Sequence, residues 1–358
     1  MKKILFIKGD DVTNVRVTKY VDYFHSINVN VLFWGWDRNK MHHESEKLMR
    51  CDYIMSGGGF GSKRLIFLYP IWMIKLFFKI LFAKLGDENI IAINFDSALP
   101  VYFASFLKKI DYIYEIHDEF ALSYKFPKFI KKAIQSVDRA IMRKAKCVIH
   151  VDKNRVNYEK CKYVIIENSP SDYFEGCEKR SYCDIDKTFA VIGNISKGRG
   201  IEHIYNFAKE QPKINLLLVG KFYDEKMRNL LKTLDNVDYY DYMPQKYLWQ
   251  HLSKCCAIFS LYDPSLEINR LAASNKVYDA MMMGIPVITN KEVVNSSFIL
   301  ENNIGIVINY NYDNTWDILS NDNFMNMVKN IGQNGRKLYI EQYQFGKLIE
   351  KNLIPILK

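Results

Sequence analysis

Short apolar runs and helical patterns alternate along nearly the whole chain. Runs such as ILFI at 4–7, IIAI at 90–93 and NLLLV at 215–219 are typical of strands that are buried on both faces. Between such runs apolar residues recur at helical spacing, as at 227, 230, 231 and 234. Buried strands that alternate with helices predict an α/β protein built on parallel sheets.

A polar stretch without a clear period, residues 171–187, interrupts this alternation and is interpreted as an interdomain linker. The pattern predicts a first domain over 1–170 and a second over 188–335. The last segment, 336–358, has a mostly helical pattern and is expected to pack back on the first domain. We therefore expect two doubly wound domains facing across a cleft, with ligands at the carboxyl ends of the strands.

Composition narrows the class of partner. The 358 residues carry a formal net charge of +10, which favours an anionic partner such as a nucleotide or an acidic membrane surface. No nucleic-acid-binding motif is evident, so nucleic acid is not expected. Seven cysteines without paired spacing are typical of reduced thiols in a cytoplasmic protein. The first residues lead directly into a strand pattern rather than a signal peptide.

The stretch 263–290 contains a loop, a short helix and a buried strand. Ser274 is a good N-cap for a helix that begins at Asn275 and ends before Gly284. A helix start favours phosphate, and Lys276 adds a positive charge there. Asp279 lies one turn further on the same face, where it can accept hydrogen bonds from hydroxyls. The alternative is an ordinary capped helix without a ligand.

A second motif, GNISKGRG at 193–200, lies between a strand and a helix. Its backbone N–H groups, including those of Gly193, Asn194 and Gly200, can surround an anion. Arg199 brings a planar guanidinium that suits phosphate oxygens. A strand-to-helix turn with an exposed arginine is the alternative.

Both motifs resemble those of GT-B glycosyltransferases, in particular family 4 and its bacterial surface-polysaccharide relatives. The run NKVYDAMMMGIPVI from Asn275 is similar to the donor-site signature, and Gly193, Arg199 and Gly200 match the basic motif that opens the second domain. The resemblance implies a retaining transfer of a sugar from a nucleotide-sugar donor, without a metal or cofactor. It also implies a lipid-linked or polysaccharide acceptor, in the synthesis of glycans such as O-antigen or capsule.

Two positions depart from the family pattern. The family often has a basic residue where this chain has Asn194, and its first signature glutamate falls on Leu271. Asp279 takes the position of the second glutamate. Glu267, four residues before Leu271, is the candidate to replace the missing donor contact.

In the first domain the resemblance is one of pattern. His117 follows a strand and maps onto the family histidine that faces the donor sugar, and the carboxylates of Asp118 and Glu119 are candidates to orient an acceptor. Gly9 ends the first strand and lets a ligand approach the backbone, and Arg16 is a further acceptor candidate. The alternatives are an acidic loop with a solvated histidine and an ordinary surface turn.

Residues 63–85 are very apolar and contain Lys75 and Lys79 one turn apart. They are interpreted either as a basic amphipathic helix on the inner face of an anionic membrane or as a core helix with snorkelling lysines. Two other functions stay open for the whole chain. One is epimerisation of a nucleotide sugar, and the other is noncatalytic binding to a membrane or nucleic acid.

Overall fold

A computed structural model describes residues 3–11, 14–38, 44–59, 64–123, 126–156, 160–174, 182 and 185–358. The chain divides into two compact units. One comprises Met1–Glu167 together with Gly346–Lys358, and the other is Asn168–Phe345. Each unit is built on its own parallel sheet, so the predicted α/β fold with two such units is confirmed.

In the described part of the first unit the sheet has seven strands in the order β3-β2-β1-β4-β5-β6-β7. The strands are β1 Ile4–Lys8, β2 Val31–Asp37, β3 Arg50–Ser56, β4 Asn89–Ile93, β5 Tyr112–Ile116, β6 Cys147–His150 and β7 Tyr163–Ile165. The helices are α1 Val15–Ser26, α2 Leu65–Phe82, α3 Phe95–Leu107, α4 Phe120–Ser123 and α5 Lys128–Lys144, with 3₁₀ turns at Glu44–Leu48 and Lys153–Arg155. The central strands β1, β4 and β5 are almost wholly buried, as their continuous apolar runs predict.

The second unit has six strands in the order β10-β9-β8-β11-β12-β13 among its described residues. They are β8 Thr188–Ile192, β9 Asn215–Val219, β10 Val237–Tyr240, β11 Ala257–Ser260, β12 Val287–Asn290 and β13 Gly305–Ile308. The helices are α6 Ile201–Glu210, α7 Glu225–Leu231, α8 Gln245–Leu252, α9 Glu267–Arg270, α10 Asn275–Met283, α11 Asn295–Glu301, α12 Asp317–Ser320 and α13 Asp322–Leu338. Short 3₁₀ turns lie at Lys197–Arg199 and Asn314–Trp316, and a π-helical turn lies at Tyr339–Tyr343.

The chain ends with α14 Phe345–Leu348, a π-helical turn at Ile349–Leu353 and α15 Ile354–Leu357. Within the first unit, Asn352 Nδ2 donates to the Ile165 carbonyl at 2.8 Å. Asn89 Nδ2 donates to the Leu357 carbonyl at 3.1 Å. The C-terminal residues 346–358 are therefore hydrogen-bonded to strands of the first unit.

Helix α10 ends where its sequence predicts. Gly284 has φ +66°, a left-handed conformation that suits glycine and stops the helix. Behind it, Gly332 of α13 lies so close that a Cβ there would be 2.1 Å from the Gly284 carbonyl oxygen. The two helices therefore touch through backbone atoms, which fixes the position of α10 in the second unit.

The strand order reverses once in each sheet, between β1 and β4 in the first unit and between β8 and β11 in the second. At such a switch point the loops at the carboxyl ends diverge and leave a crevice, where open α/β sheets bind ligands. In the second unit the loops that follow β8 and β11 are residues 193–200 and 261–266. They carry much of the chemistry that the sequence predicts.

Candidate functional site

The loops after β8 and β11 are held together by hydrogen bonds and close packing. The Asp263 amide donates to the Gly198 carbonyl at 3.1 Å, and Asn269 Nδ2 donates to the Asp263 carbonyl at 3.0 Å. Gly200 has φ +73°, and a Cβ there would lie 2.9 Å from Leu261 Cδ1. The predicted motif at 193–200 is thus fixed against the segment that leads to α10.

Arg199 lies in the 3₁₀ turn of this motif. Its guanidinium carbon is 3.9 Å from the centre of the Tyr262 ring, a cation–π contact. Its Nη1 atom is buried and has no hydrogen-bond partner among the described residues. A buried guanidinium N–H without a partner is uncommon, and it would be satisfied by an anionic oxygen.

Tyr262 was not predicted from the sequence, yet it lies at the centre of the site. Its backbone N–H donates to Asn290 Oδ1 at 2.9 Å, and its carbonyl accepts from Asn290 Nδ2 at 3.1 Å. The side chain is buried, and its hydroxyl is hydrogen-bonded with Ser274 and Ser260. The amide of Asn290 therefore fixes the tyrosine where β11 ends.

The pKa of Tyr262 shows that both predicted cations lie near its hydroxyl. Burial by itself raises this pKa, but the positive charges of Lys276 and Arg199 outweigh burial and leave it below its ordinary value. Arg199 thus lies against the Tyr262 ring, and the charge of Lys276 acts on the hydroxyl of the same side chain. Among the described residues, no carboxylate forms an ion pair with Arg199 or Lys276, so their charges are available to an anion.

Ser274 is the N-cap residue of α10, as its sequence predicts, but its side chain does not bond to the helix. No side-chain hydrogen bond caps the helix, and the Ser274 hydroxyl lies instead 2.8 Å from Ser260 Oγ. The neighbouring hydroxyls of Ser260 and Tyr262 turn it away from the helix. Asn275 is exposed and Lys276 half-buried, so the first turn of α10 presents N–H groups beside a cation.

The other predicted donor contacts lie in the same unit. Gly193 has φ +89° with open space where a Cβ would be, and Asn194 is exposed. Gly220 supports this loop and was missed: a Cβ on Gly220 would lie 1.8 Å from the Gly193 carbonyl oxygen. Its signal in the sequence is a glycine directly after a buried strand.

The remaining donor candidates are on helices. Asp279 is half-buried on α10, one turn after Lys276. Glu267 begins the short helix α9, and its side chain lies outside the described part of the chain. Leu271, which stands where the family has a glutamate, is half-buried just after α9. The replacement of that glutamate by Glu267 stays a prediction.

In the first unit Arg16 is enclosed by internal partners. Its Nε lies 2.5 Å from Glu115 Oε1, and its other nitrogens donate to the carbonyls of Ile166 at 2.7 Å and Glu167 at 3.1 Å. Arg16 is 6% exposed. These contacts correct the sequence-based role of Arg16 as an acceptor contact, since its guanidinium is committed to the interior of the unit.

Glu115 and His117 extend this network to the carboxyl end of β5. Burial disfavours the Glu115 carboxylate, but Arg16 and His117 outweigh burial and lower its pKa to about 2. His117 Nε2 lies 3.3 Å from Glu115 Oε1. Burial lowers the pKa of His117, partly offset by Glu115, so the imidazole is neutral near pH 7. Asp118 is exposed, 3.6 Å from Arg155 Nη1, and Glu119 is half-buried.

Gly9 lies at the switch point of the first sheet, but packing explains it. A Cβ at Gly9 would be 1.9 Å from Asp96 Oδ2 and 2.9 Å from Trp72 Nε1. The space next to Gly9 is therefore filled by side chains of its own unit. Burial raises the pKa of Asp96 to about 6, a feature that the sequence did not predict. Among the described residues, no group of three or more His, Cys, Asp or Glu side chains is placed to hold a metal ion.

Residues 191–349 match the family model described as glucosyltransferase 3-like, C-terminal domain. No curated protein matches the chain by sequence. Among solved structures, sucrose-phosphate synthase from Thermosynechococcus elongatus is similar, with a TM-score of 0.72 at 15% identity over 98% of this chain and 97% of that one. Anabaena HepE in complex with UDP-glucose has a TM-score of 0.67 at 14% identity over 98% of each chain.

A glycosyltransferase from Rickettsia africae has a TM-score of 0.65 at 13% identity, over 99% of this chain and 98% of that one. At these identities the likeness concerns the fold, which is shared over nearly the full length of each chain. Residues 191–349 therefore match a glucosyltransferase 3-like domain, and over nearly its whole length the chain shares the two-unit GT-B fold of these solved structures.

Proposed function

We propose that the chain transfers a sugar from a nucleotide-sugar donor to an acceptor hydroxyl, with the donor diphosphate bound by Arg199, Lys276 and the first turn of α10. The observation that carries this proposal is the pair of cations around Tyr262, one with a buried, unpartnered guanidinium nitrogen. A bound diphosphate would satisfy that nitrogen and would accept from the uncapped N–H groups of the helix.

The proposed chemistry follows from the charge that develops during transfer. The bond from the anomeric carbon to the donor phosphate breaks, and a bond from the same carbon to the acceptor oxygen forms. Negative charge grows on the departing diphosphate, where Arg199 and Lys276 stabilise it without a metal ion. We assign retention of configuration from the family resemblance, with the acceptor proton passing to an oxygen of the departing phosphate.

The remaining groups have supporting roles in this proposal. Asp279 accepts hydrogen bonds from donor hydroxyls, and Gly193 and Gly200 bring backbone N–H groups near the phosphates. From the family resemblance we assign His117 to contact with the donor sugar, and Asp118 and Glu119 to the acceptor. The acceptor class that we propose is a lipid-linked or polysaccharide glycan of the bacterial surface, reached from the cytoplasm. The solved complex of the similar HepE with UDP-glucose supports a nucleotide sugar as donor.

Calorimetry with UDP-, GDP- and dTDP-sugars tests the donor site. We expect one nucleotide class to bind the wild-type chain, and we expect Arg199→Ala and Lys276→Ala each to weaken that binding at least tenfold. Lys209→Ala is the matched control, because Lys209 is an exposed cation in the last turn of α6. Equal affinities in all four proteins would refute the site.

Product analysis by mass spectrometry separates the chemistries that share this fold. Transfer predicts a glycosylated acceptor and free nucleoside diphosphate. Conversion of the donor to an epimer without any glycosylated product would replace transfer by epimerisation. Donor binding without either product would favour a noncatalytic binding protein.

A further inference from the structure

Helices α2, α3 and α5 form a layer against the sheet of the first unit. Their inner faces share one apolar core, to which α2 contributes Trp72 and Leu76, α3 contributes Val101 and α5 contributes Ile141. All four side chains are fully buried. One face of each helix thus supplies the core of the first unit. Apolar side chains on the outer faces are not needed for this core and require a separate explanation.

The outer faces of α2 and α3 are unusually apolar. Phe67 and Phe82 of α2 are 75% and 80% exposed, and Phe106 and Leu107 of α3 are 61% and 68% exposed. Their exposed apolar neighbours are Ile71, Ile74, Phe78 and Phe103. Single exposed apolar residues are normal, but a contiguous group of this size marks an interaction surface.

An apolar groove of about 500 Å³ runs between the two helices. Its walls include Ile74, Phe77 and Phe78 from α2 and Phe103 and Phe106 from α3, and every side chain that lines it is apolar. Such a groove offers no hydrogen bond to a polar ligand. Its chemistry suits hydrocarbon.

Helix α5 adds positive charge to the same layer. It carries six cations and one carboxylate, which are Lys128, Lys131, Lys132, Asp138, Arg139, Arg143 and Lys144. The Asp138 carboxylate accepts a hydrogen bond from the Tyr114 hydroxyl at 2.8 Å, and one carboxylate leaves most of the charge of six cations uncompensated. Lys144 Nζ lies 5.5 Å from the centre of the Phe106 ring, which joins the cationic helix to the apolar surface.

We infer that the outer face of α2, α3 and α5 docks on the surface of an anionic lipid bilayer. The exposed aromatic and aliphatic side chains enter the headgroup–acyl boundary, and the cations of α5 lie among anionic headgroups. In the described part of the chain no helix is long and apolar enough to cross a membrane, so the contact is with one surface. This inference does not depend on the proposed donor chemistry.

Charge complementarity favours an anionic bilayer over a second copy of the chain as the partner of this surface. A two-fold symmetric contact would bring the same surface patch of both copies together. The six cations of each α5 would then approach their equivalents, with one buried carboxylate per copy to offset them. An anionic bilayer satisfies both the apolar and the cationic part of the surface.

The sequence pointed only to residues 63–85 for a membrane contact. The structure divides that segment: Trp72, Leu76 and Ile80 belong to the core, and the other face of α2 is exposed. It also adds α3 and α5, for which the sequence analysis proposed no membrane contact. The interpretation of α2 as a core helix therefore holds for one face, and the membrane interpretation remains a prediction for the other face.

Vesicle flotation tests the inference with the full chain. We expect wild type to float with vesicles of phosphatidylcholine and phosphatidylglycerol at low salt, and to bind phosphatidylcholine alone at least tenfold more weakly. Phe78→Glu with Phe106→Glu should lower binding to the anionic vesicles at least tenfold. Replacing Lys132, Arg139 and Arg143 by Gln should lower it about a hundredfold, since each cation near the surface contributes about fivefold.

The matched controls are in the second unit. Leu300→Glu places a charge on an exposed leucine, and replacing Lys209, Lys213 and Lys329 by Gln removes three exposed cations. Both should float like wild type. Circular dichroism and nucleotide-sugar calorimetry on each variant verify that the fold and the donor site are intact.

Three outcomes would overturn the inference. Wild type could stay unbound to anionic vesicles at low salt. The controls could lose as much binding as the variants of α2, α3 and α5. Finally, sedimentation could reveal a dimer of the wild-type chain that Phe78→Glu with Phe106→Glu dissociates, which would assign the surface to a second copy.

Discussion

Arg16 in the first unit is buried and Arg199 in the second unit is half-buried, and the two guanidinium groups have different surroundings. Arg16 in the first unit has a carboxylate, two backbone carbonyls and the Tyr20 hydroxyl around its guanidinium. Arg199 in the second unit has an aromatic ring beneath it and a buried nitrogen that has no partner in the described part of the chain. The residue type is the same, and the surroundings decide its role.

The difference separates a structural cation from a cation that is ready for a ligand. Removing one member of a buried ion pair leaves an uncompensated charge. The stability of the fold therefore requires both Arg16 and Glu115. Arg199 forms no ion pair with a carboxylate of the described ranges. Its unsatisfied nitrogen favours binding of an anion, and the nearby charge of Lys276 adds to the same potential.

The largest effect is expected from Arg16→Leu, because it leaves the Glu115 carboxylate buried without its main partner. We expect it to lower the free energy of unfolding by about 3–5 kcal/mol, measured by urea denaturation. Arg16→Leu combined with Glu115→Leu should recover part of this loss. Full stability together with a loss of acceptor binding would return Arg16 to the role predicted from sequence.

Arg199→Ala should give the opposite pattern. Loss of one preorganised charge lowers turnover by about 10²–10³, or about 2.7–4 kcal/mol in the barrier. The midpoint of unfolding should change little, because no internal ion pair is broken. Initial rates with saturating donor measure the effect, and Arg199→Lys should retain part of the activity. If Arg199→Ala instead lowered the free energy of unfolding and left the turnover of the folded protein normal, Arg199 would have a structural role like that of Arg16.

A pH titration of stability sharpens the comparison further. Burial lowers the pKa of His150 in β6 to about 4, compared with 6.5 when the chain is unfolded. Between these values the unfolded chain binds the additional proton. Stability is therefore complete above pH 6.5, falls as the pH is lowered toward 4, and loses about 3 kcal/mol from this residue.

Replacing His150 by Gln should flatten the part of the profile between pH 4 and 6.5. Urea denaturation at intervals of half a pH unit measures it. An unchanged slope would show that the buried imidazole is not the group responsible. Glu115, whose pKa is about 2, should act in a lower window, with its stabilisation lost as the pH falls from about 4.5 toward 2.

The smallest effect is expected at Tyr262. Tyr262→Phe keeps the ring beneath Arg199 and removes the hydroxyl. It should lower kcat/KM by an amount equivalent to about 1 kcal/mol in activation free energy, the scale of one hydrogen bond. Tyr262→Leu also removes the cation–π contact and should lower kcat/KM by an amount equivalent to about 2 kcal/mol in activation free energy. Equal values for the two variants would show that the ring does not position the guanidinium.

Local features of this molecule were predictable from the sequence. The start of α10 at Asn275 and its end before Gly284 follow from residues within the helix and its two neighbours. The buried strands follow from their apolar runs, and the two cationic motifs lie where the family resemblance places them. The reversal of strand order then explains why motifs that are distant in sequence meet in one crevice.

Features that depend on distant pairs were not predictable. Arg16 and Glu115 are separated by 99 positions, and nothing in either segment identifies the other as its partner. Tyr262 gains its importance from Asn290, which lies on the neighbouring strand. The exposed phenylalanines of α3 have the composition of core residues, and only the packing of α2 and α5 leaves them outside.

The backbone contact between Gly284 and Gly332 has a consequence for donor exchange. Helix α10 cannot slide along its axis without forcing the two main chains into each other. The first turn of α10, where we propose that the donor diphosphate binds, is therefore fixed in place, and donor exchange would depend on the surrounding loops. A methyl group at position 332 would push on the C-terminal end of α10 and tilt the helix. This tilt would displace Lys276, which lies at the opposite end.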